Sequence, residues 1–158
     1  MPALCIVDMQ TGFDSHPFAI KGVLEQIELF KKHKWPIILV EYRHYGQTIN
    51  QVMEKLEGYP VIKVEKSDNG GGEEVAKALT LRRPLIKNIT MCGINTCYCV
   101  GETAIGLIQK DYNVKLSCHS VACQPYHQNY GCVKKVSRRL KELMETRDEY
   151  RRLCKQPT

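Results

Sequence analysis

Apolar residues along this chain alternate between two kinds of run. Ala3-Leu4-Cys5-Ile6-Val7 is apolar at every position, as a strand buried on both faces should be. From Ile20 to His33 the apolar positions Val23, Leu24, Ile27 and Phe30 recur at helical spacing. Trp35 to Tyr42 is a second buried strand, Ile49 to Leu56 a short helix, and Val61 to Lys66 a third strand closed by Ser67-Asp68-Asn69-Gly70-Gly71-Gly72. Glu73 to Leu81 is helical, Pro84 to Thr90 a fourth strand and Thr103 to Lys110 a helix. Asn113 to Cys118 is a fifth strand, and Tyr130 to Leu153 a long helix.

Strand–helix alternation of this kind predicts parallel strands joined by right-handed crossovers. The expected architecture is a three-layer α/β/α sandwich around a mostly parallel sheet of five to six strands. At 158 residues, with no linker, internal repeat or low-complexity stretch, the chain is expected to form one domain over 1–158.

Composition narrows the function classes. No window approaches 18 uncharged apolar residues, so no membrane partner is expected. Met1-Pro2-Ala3 runs straight into a strand without a signal-peptide pattern, which points to a cytoplasmic protein. Its eight cysteines are then expected to stay reduced. They include Cys92, Cys97, Cys99, Cys118, Cys123 and Cys132 but form no Cys-x-x-Cys pair, so no metal is expected. The net charge of +6 is concentrated in the last helix, where Lys134, Lys135, Arg138, Arg139, Arg147, Arg151 and Arg152 alternate with acids. That pattern reads as a solvated helix face rather than a nucleic-acid surface.

In parallel sheets the site lies beyond the carboxyl ends of the strands. The first strand ends at Asp8, the third at Lys66, and the fourth leads through Met91-Cys92-Gly93-Ile94-Asn95-Thr96-Cys97-Tyr98 to Cys99 at a helix start. A helix start favours thiolate over thiol and presents N–H groups to an oxyanion. A carboxylate, an ammonium and a thiol gathered there can perform acyl transfer. Lys63 is the alternative lysine; period-2 alternation sends it to the opposite face, so only one of the two can serve.

The combination Val7-Asp8-Met9-Gln10-x-Gly12-Phe13, a lysine on the third strand and Gly93-Ile94-x-Thr96-x-x-Cys99-Val100 resembles the isochorismatase-like cysteine hydrolases, over about residues 3 to 127. That superfamily includes nicotinamidases and N-carbamoylsarcosine amidase. The resemblance implies Asp8 as general base, Lys66 as third triad member and Cys99 as nucleophile. It also implies a cis peptide between Ile94 and Asn95, and an oxyanion hole from the backbone N–H groups of Asn95 and Cys99.

Departures from the family pattern matter too. Asn69-Gly70-Gly71-Gly72 replaces the usual Ser-Ala-Phe-like sequence after the lysine, and the chain closes on a helix where the family has a sixth strand. Glu41-Tyr42-Arg43-His44 stands where nicotinamidases carry their metal-binding Asp-x-His, which argues against nicotinamide as substrate. The expected activity is therefore cofactor-free hydrolysis of a C–N bond in a small amide or carbamoyl compound, through a thioester. Phe13, Tyr42, His44, Tyr126 and Tyr130 are candidate pocket residues. A homo-oligomer is expected, because Ile105-Gly106-Leu107-Ile108 is more apolar than one buried face requires. The alternative is a member that keeps the fold as a small-ligand-binding or assembly module and has lost turnover.

Overall fold

The structure, a computed structural model, describes residues 1–14, 17–123 and 130–155. Five strands form one sheet in the order β3-β2-β1-β4-β5: β1 (Pro2–Val7), β2 (Ile37–Tyr42), β3 (Val61–Lys66), β4 (Asn88–Ile94) and β5 (Asn113–Ala122). Every pairing is parallel. Five helices connect and flank them: α1 (Pro17–Lys32), α2 (Asn50–Leu56), α3 (Gly72–Thr80), α4 (Gly101–Gln109) and α5 (Tyr130–Cys154).

The sheet separates two apolar layers. Leu4, Ile6, Leu39, Cys92 and Ile94 face α1 and α2 with Val23, Ile27, Phe30 and Val52. Ala3, Cys5, Val7, Ile38, Val40 and Met91 face α3, α4 and α5 with Val75, Leu79, Ala104, Leu107 and Leu140. Adjacent residues of β1 thus go to opposite layers, which explains why that strand carries no polar position.

β1 and β2 shift by one or two residues at their starts, and two strands differ more from their sequence-based bounds. β4 begins at Asn88, because Pro84 has no N–H for the ladder and Leu85 is exposed. β5 runs on past Cys118 to Ala122. Its pairing with β4 shifts between Met91 and Gly93, which oppose Leu116 and Val121. The polar stretch Ser117-Cys118-His119-Ser120 is accommodated as an irregularity, and buried Val121 and Ala122 rejoin the sheet. Gly22 of α1 lies against this irregularity, where a Cβ would sit 1.9 Å from the His119 carbonyl oxygen.

Helix α5 is amphipathic rather than free in solvent. Leu140 is buried, with Val133, Val136, Leu143 and Met144 packed along the same stripe. Arg147 donates to the carbonyls of Ile108 (3.3 Å) and Tyr112 (2.7 Å), and Arg151 pairs with Asp111. The apolar run of α4 is absorbed within the chain as well. Leu107 and Ile108 are buried and Ile105 packs on the same layer. A Cβ on Gly72 would lie 2.7 Å from Gly106 Cα, so α3 and α4 cross in close backbone contact. The apolar content of α4 therefore does not by itself call for a second copy.

Candidate active site

Chain order β1, β2, β3 proceeds outward from the sheet centre, and β4 then returns to the other side of β1. The switch point lies between β1 and β4, where a crevice is expected at the strand ends. Asp8 follows β1 directly there. Its φ of 55° is in the left-handed region, which Asp tolerates better than most residues. The side chain is 1 % exposed. Gln10 stabilises the turn by donating to the carbonyls of Tyr42 (2.9 Å) and Gly46 (2.8 Å) and accepting from the Tyr42 N–H (2.7 Å).

Lys66 ends β3, two strands away from Asp8. Spanning two inter-strand spacings of about 4.8 Å requires a long side chain. Lysine supplies it: Lys66 Nζ reaches 3.1 Å from Asp8 Oδ2, with the side chain fully buried. The ammonium lies 3.9 Å from the centre of the Tyr42 ring. It also donates to the carbonyls of Asp68 (2.9 Å) and Asn69 (3.0 Å). Lys63 faces the other way. It is exposed and only 3.7 Å from Glu41, so it takes no part in this cluster.

The residues after the lysine, which depart from the family pattern, shape this environment. Asp68 and Asn69 supply the two carbonyls. Gly71 provides room, since a Cβ there would be 2.8 Å from Lys66 Cδ. Its N–H donates to Thr103 Oγ1 of α4 at 3.0 Å, tying the loop to the helix that follows the cysteine. Asn69 Oδ1 accepts from the Cys99 thiol at 3.8 Å. Sequence reading missed Asn69, Gly71 and Thr103; the glycine run after a strand-ending lysine was the available signal.

Cys99 arrives by a different route. β4 ends in Gly93, with φ 111°, and Ile94, and a cis peptide joins Ile94 to Asn95. A Cβ on Gly93 would lie 2.1 Å from the Val7 carbonyl, so only glycine allows β4 this close to β1. A single π-helical turn, Thr96–Val100, then leads into α4. The turn carries Cys99, 4 % exposed.

Burial dominates the electrostatics. It raises the Asp8 carboxyl above the usual carboxylate range, opposed by the nearby Cys99 thiol and the Lys66 ammonium. Burial, followed by the Asp8 carboxylate, pushes the Cys99 thiol up to about 12. Desolvation and the neighbouring carboxylate outweigh the lysine, against the expectation that the helix start favours thiolate. The ion-pair contact with Lys66 is not a well-directed hydrogen bond, and neither Asp8 oxygen receives one from a described residue. The carboxylate therefore retains acceptor capacity toward the thiol proton.

Of the candidate pocket residues, Phe13 and Tyr42 join an aromatic group with Tyr45. Phe13 stacks on Tyr45 at 4.4 Å, and Tyr45 lies 4.8 Å from Tyr42. His44 is exposed, with φ 70°, and stands outside that group. Tyr126 and the Tyr130 side chain lie outside the described residues. Glu41 is occupied by Thr48, whose N–H (3.0 Å) and hydroxyl (3.2 Å) both donate to it.

The cysteines do not all stay reduced. Cys97, in the same turn as Cys99, is joined to Cys132 at the start of α5 by a disulfide. Among the described residues, no helix is long and apolar enough to cross a membrane.

Comparison with known proteins bears on the family and the fold. A secreted isochorismatase effector of Phytophthora sojae is 28 % identical over 124 residues, 76 % of this chain and 59 % of the relative. The chain thus spans about six tenths of that relative's length. Among solved structures, a nicotinamidase from Staphylococcus aureus superposes with a TM-score of 0.75 at 19 % identity, covering 91 % of this chain and 95 % of that one. A ribonuclease, MAR1 of Caenorhabditis elegans, superposes with a TM-score of 0.70 at 19 % identity, covering 90 % and 73 %. At such identities the two structures share the fold. The isochorismatase domain itself matches residues 2–122, most of the chain and every strand of the sheet, and the protein belongs to the isochorismatase family.

Proposed function

We propose that this chain is a cysteine hydrolase that cleaves a C–N bond of a small amide or carbamoyl compound through a thioester acyl-enzyme. The observation that carries this reading is the buried Asp8 carboxylate, 3.1 Å from the Lys66 ammonium and with acceptor capacity to spare, in the cluster that also holds the buried Cys99 thiol. Asp8 can take the thiol proton as the nucleophile attacks.

In the first half-reaction Asp8 accepts the thiol proton as Cys99 Sγ attacks the substrate carbonyl. The backbone N–H groups of Asn95 and Cys99 receive the oxyanion, as the family resemblance implies. Protonated Asp8 then passes its proton to the leaving nitrogen, and the C–N bond breaks to give the thioester. Water, deprotonated by Asp8, attacks the thioester and releases the acid and the thiol. Lys66 favours ionised Asp8 at the start of each cycle.

Enclosure supports a small substrate, because Asp8, Lys66 and Cys99 are all almost wholly buried. The aromatic group of Phe13, Tyr42 and Tyr45 offers flat apolar contact beside them. Loss of the post-lysine motif was the ground for a catalytically silent member. That ground weakens, because the replacement loop supplies carbonyl acceptors to Lys66 and an acceptor to Cys99. Nucleic acid is not part of this reading, since Arg147 and Arg151 of the basic helix are engaged with Asp111. A cytoplasmic setting and self-association belong to the proposal and are checked by localisation and light scattering.

The test is ammonia release across a panel of small amides and ureido compounds, wild type against Cys99→Ala. Release from at least one compound, lost in the variant, is expected. Equal release from both proteins would overturn the covalent mechanism.

A further inference from the structure

A second sulfur cluster lies on the other side of the turn that carries Cys99. The sulfurs of Cys97, Cys123 and Cys132 all lie within 4.8 Å of one another. They come from three segments: the π-helical turn, the residue following β5 and the first turn of α5. Cys123 is buried and the other two are half-buried. We propose that, with the Cys97–Cys132 disulfide reduced, these three thiolates form a site for a thiophilic d¹⁰ cation, with Zn²⁺ as the reference ion.

Three observations carry the assignment. The first is distance. Tetrahedral zinc with Zn–S bonds of about 2.3 Å places its sulfurs about 3.8 Å apart. Cys123 Sγ and Cys132 Sγ are already 3.8 Å apart. Reduction removes the one bond that holds Cys97 and Cys132 closer than that.

The second is the ligand set. Among the described residues the group is three sulfurs without a carboxylate, which suits a soft ion rather than magnesium or calcium.

The third is outer-shell support. The Cys97 backbone N–H donates to Cys123 Sγ at 3.2 Å. An N–H directed at sulfur is the kind of outer-shell contact that orients ligands at known metal sites.

The chemistry balances with reagents of ordinary class. A low-molecular-weight thiol reduces the disulfide by two electrons: two R–SH become R–S–S–R, and Cys97 and Cys132 become thiols. Binding the cation then releases three protons to solvent, one from each cysteine. Disulfide and metal site are mutually exclusive states of the same sulfurs. Either one fastens the turn bearing Asn95 and Cys99 to the start of α5; the metal adds the end of β5.

The test uses the full chain, reduced and freed of reductant without air. Cadmium serves as the spectroscopic probe and zinc as the competitor. One cadmium per chain is expected, with sulfur-to-metal charge-transfer absorbance that zinc abolishes. Cys97→Ser, Cys123→Ser and Cys132→Ser are each expected to weaken binding by about 100-fold or more, beyond the effect of outer-shell changes. Cys118→Ser and Cys154→Ser, at exposed positions, are expected to leave it unchanged. A measurement on the wild type guards against variants that fail to fold: zinc should protect Cys97, Cys123 and Cys132 from iodoacetamide as a group, by peptide mass mapping. Absence of stoichiometric binding by the reduced chain, or protection centred on Cys118 or Cys154, would overturn the site.

Discussion

Cys97 and Cys99 stand two residues apart on one turn and meet opposite surroundings. Cys99 faces a carboxylate, an ammonium and an amide oxygen. Cys97 faces two other sulfurs at the junction of β5 and α5. The same side chain serves as a candidate nucleophile in one place and as a cross-link or metal ligand in the other. What separates them is the neighbouring atoms each meets, and those come from strands and helices far away in sequence.

Removing Cys99 breaks that contrast most severely. Cys99→Ala is expected to lower kcat by about 10⁴-fold or more, as loss of a covalent nucleophile does elsewhere, whereas Cys97→Ser should retain most turnover under reducing conditions. Steady-state kinetics on any amide found to be hydrolysed decides this.

Asp8→Asn should follow, with a loss of about 10²–10⁴-fold, because an amide cannot accept the proton. The same group sets the acid limb of the pH profile. Burial raises the Asp8 carboxyl, so its base form disappears on acidification at a pH above the ordinary value of about 4. kcat/KM should therefore fall below neutrality earlier than an exposed aspartate would dictate. The sign for stability is opposite: a raised folded-state pKa means this group contributes more below that pKa and less above it. A rate that holds constant down to the ordinary aspartate range would remove Asp8 as the base.

The two lysines of β3 sharpen the comparison within one strand. Lys66→Met removes the partner of a buried carboxylate and should cost about 3–5 kcal/mol, read as a fall in Tm or denaturant midpoint. Lys63→Met alters an exposed side chain and should stay within about 0.5 kcal/mol, with turnover unchanged. Gly71→Ala falls between them. Its Cβ would displace Lys66 Cδ, a flexible neighbour, for about 1–3 kcal/mol and a slower rate.

Much of this was legible in the chain. The fully apolar β1 and the apolar start of β2, Ile37 to Val40, announced central parallel strands, and the rule that sites lie beyond strand ends selected Asp8, Lys66 and Cys99. The alternation along β3 sent Lys63 and Lys66 to opposite faces, so only one could serve, and the strand end favoured Lys66. Other features depend on contacts between distant segments. Asn69 shows no motif until the chain folds beside Cys99. The extension of β5 depends on Val121 and Ala122 regaining the sheet after four residues with no strand pattern. The sulfur cluster joins residues 97, 123 and 132, and spacing alone made them look unrelated. Desolvation of the Cys99 thiol was not legible either, because a helix start is local and visible whereas burial belongs to the assembled core.

Acid-quenched mass spectrometry of the protein during turnover tests the central claim most directly. The account predicts a substrate-derived acyl mass on the peptide containing Cys99, assigned to that sulfur, present in the wild type and absent in Cys99→Ala. An acyl group on Cys97 or another residue, or undiminished turnover by Cys99→Ala, would contradict it.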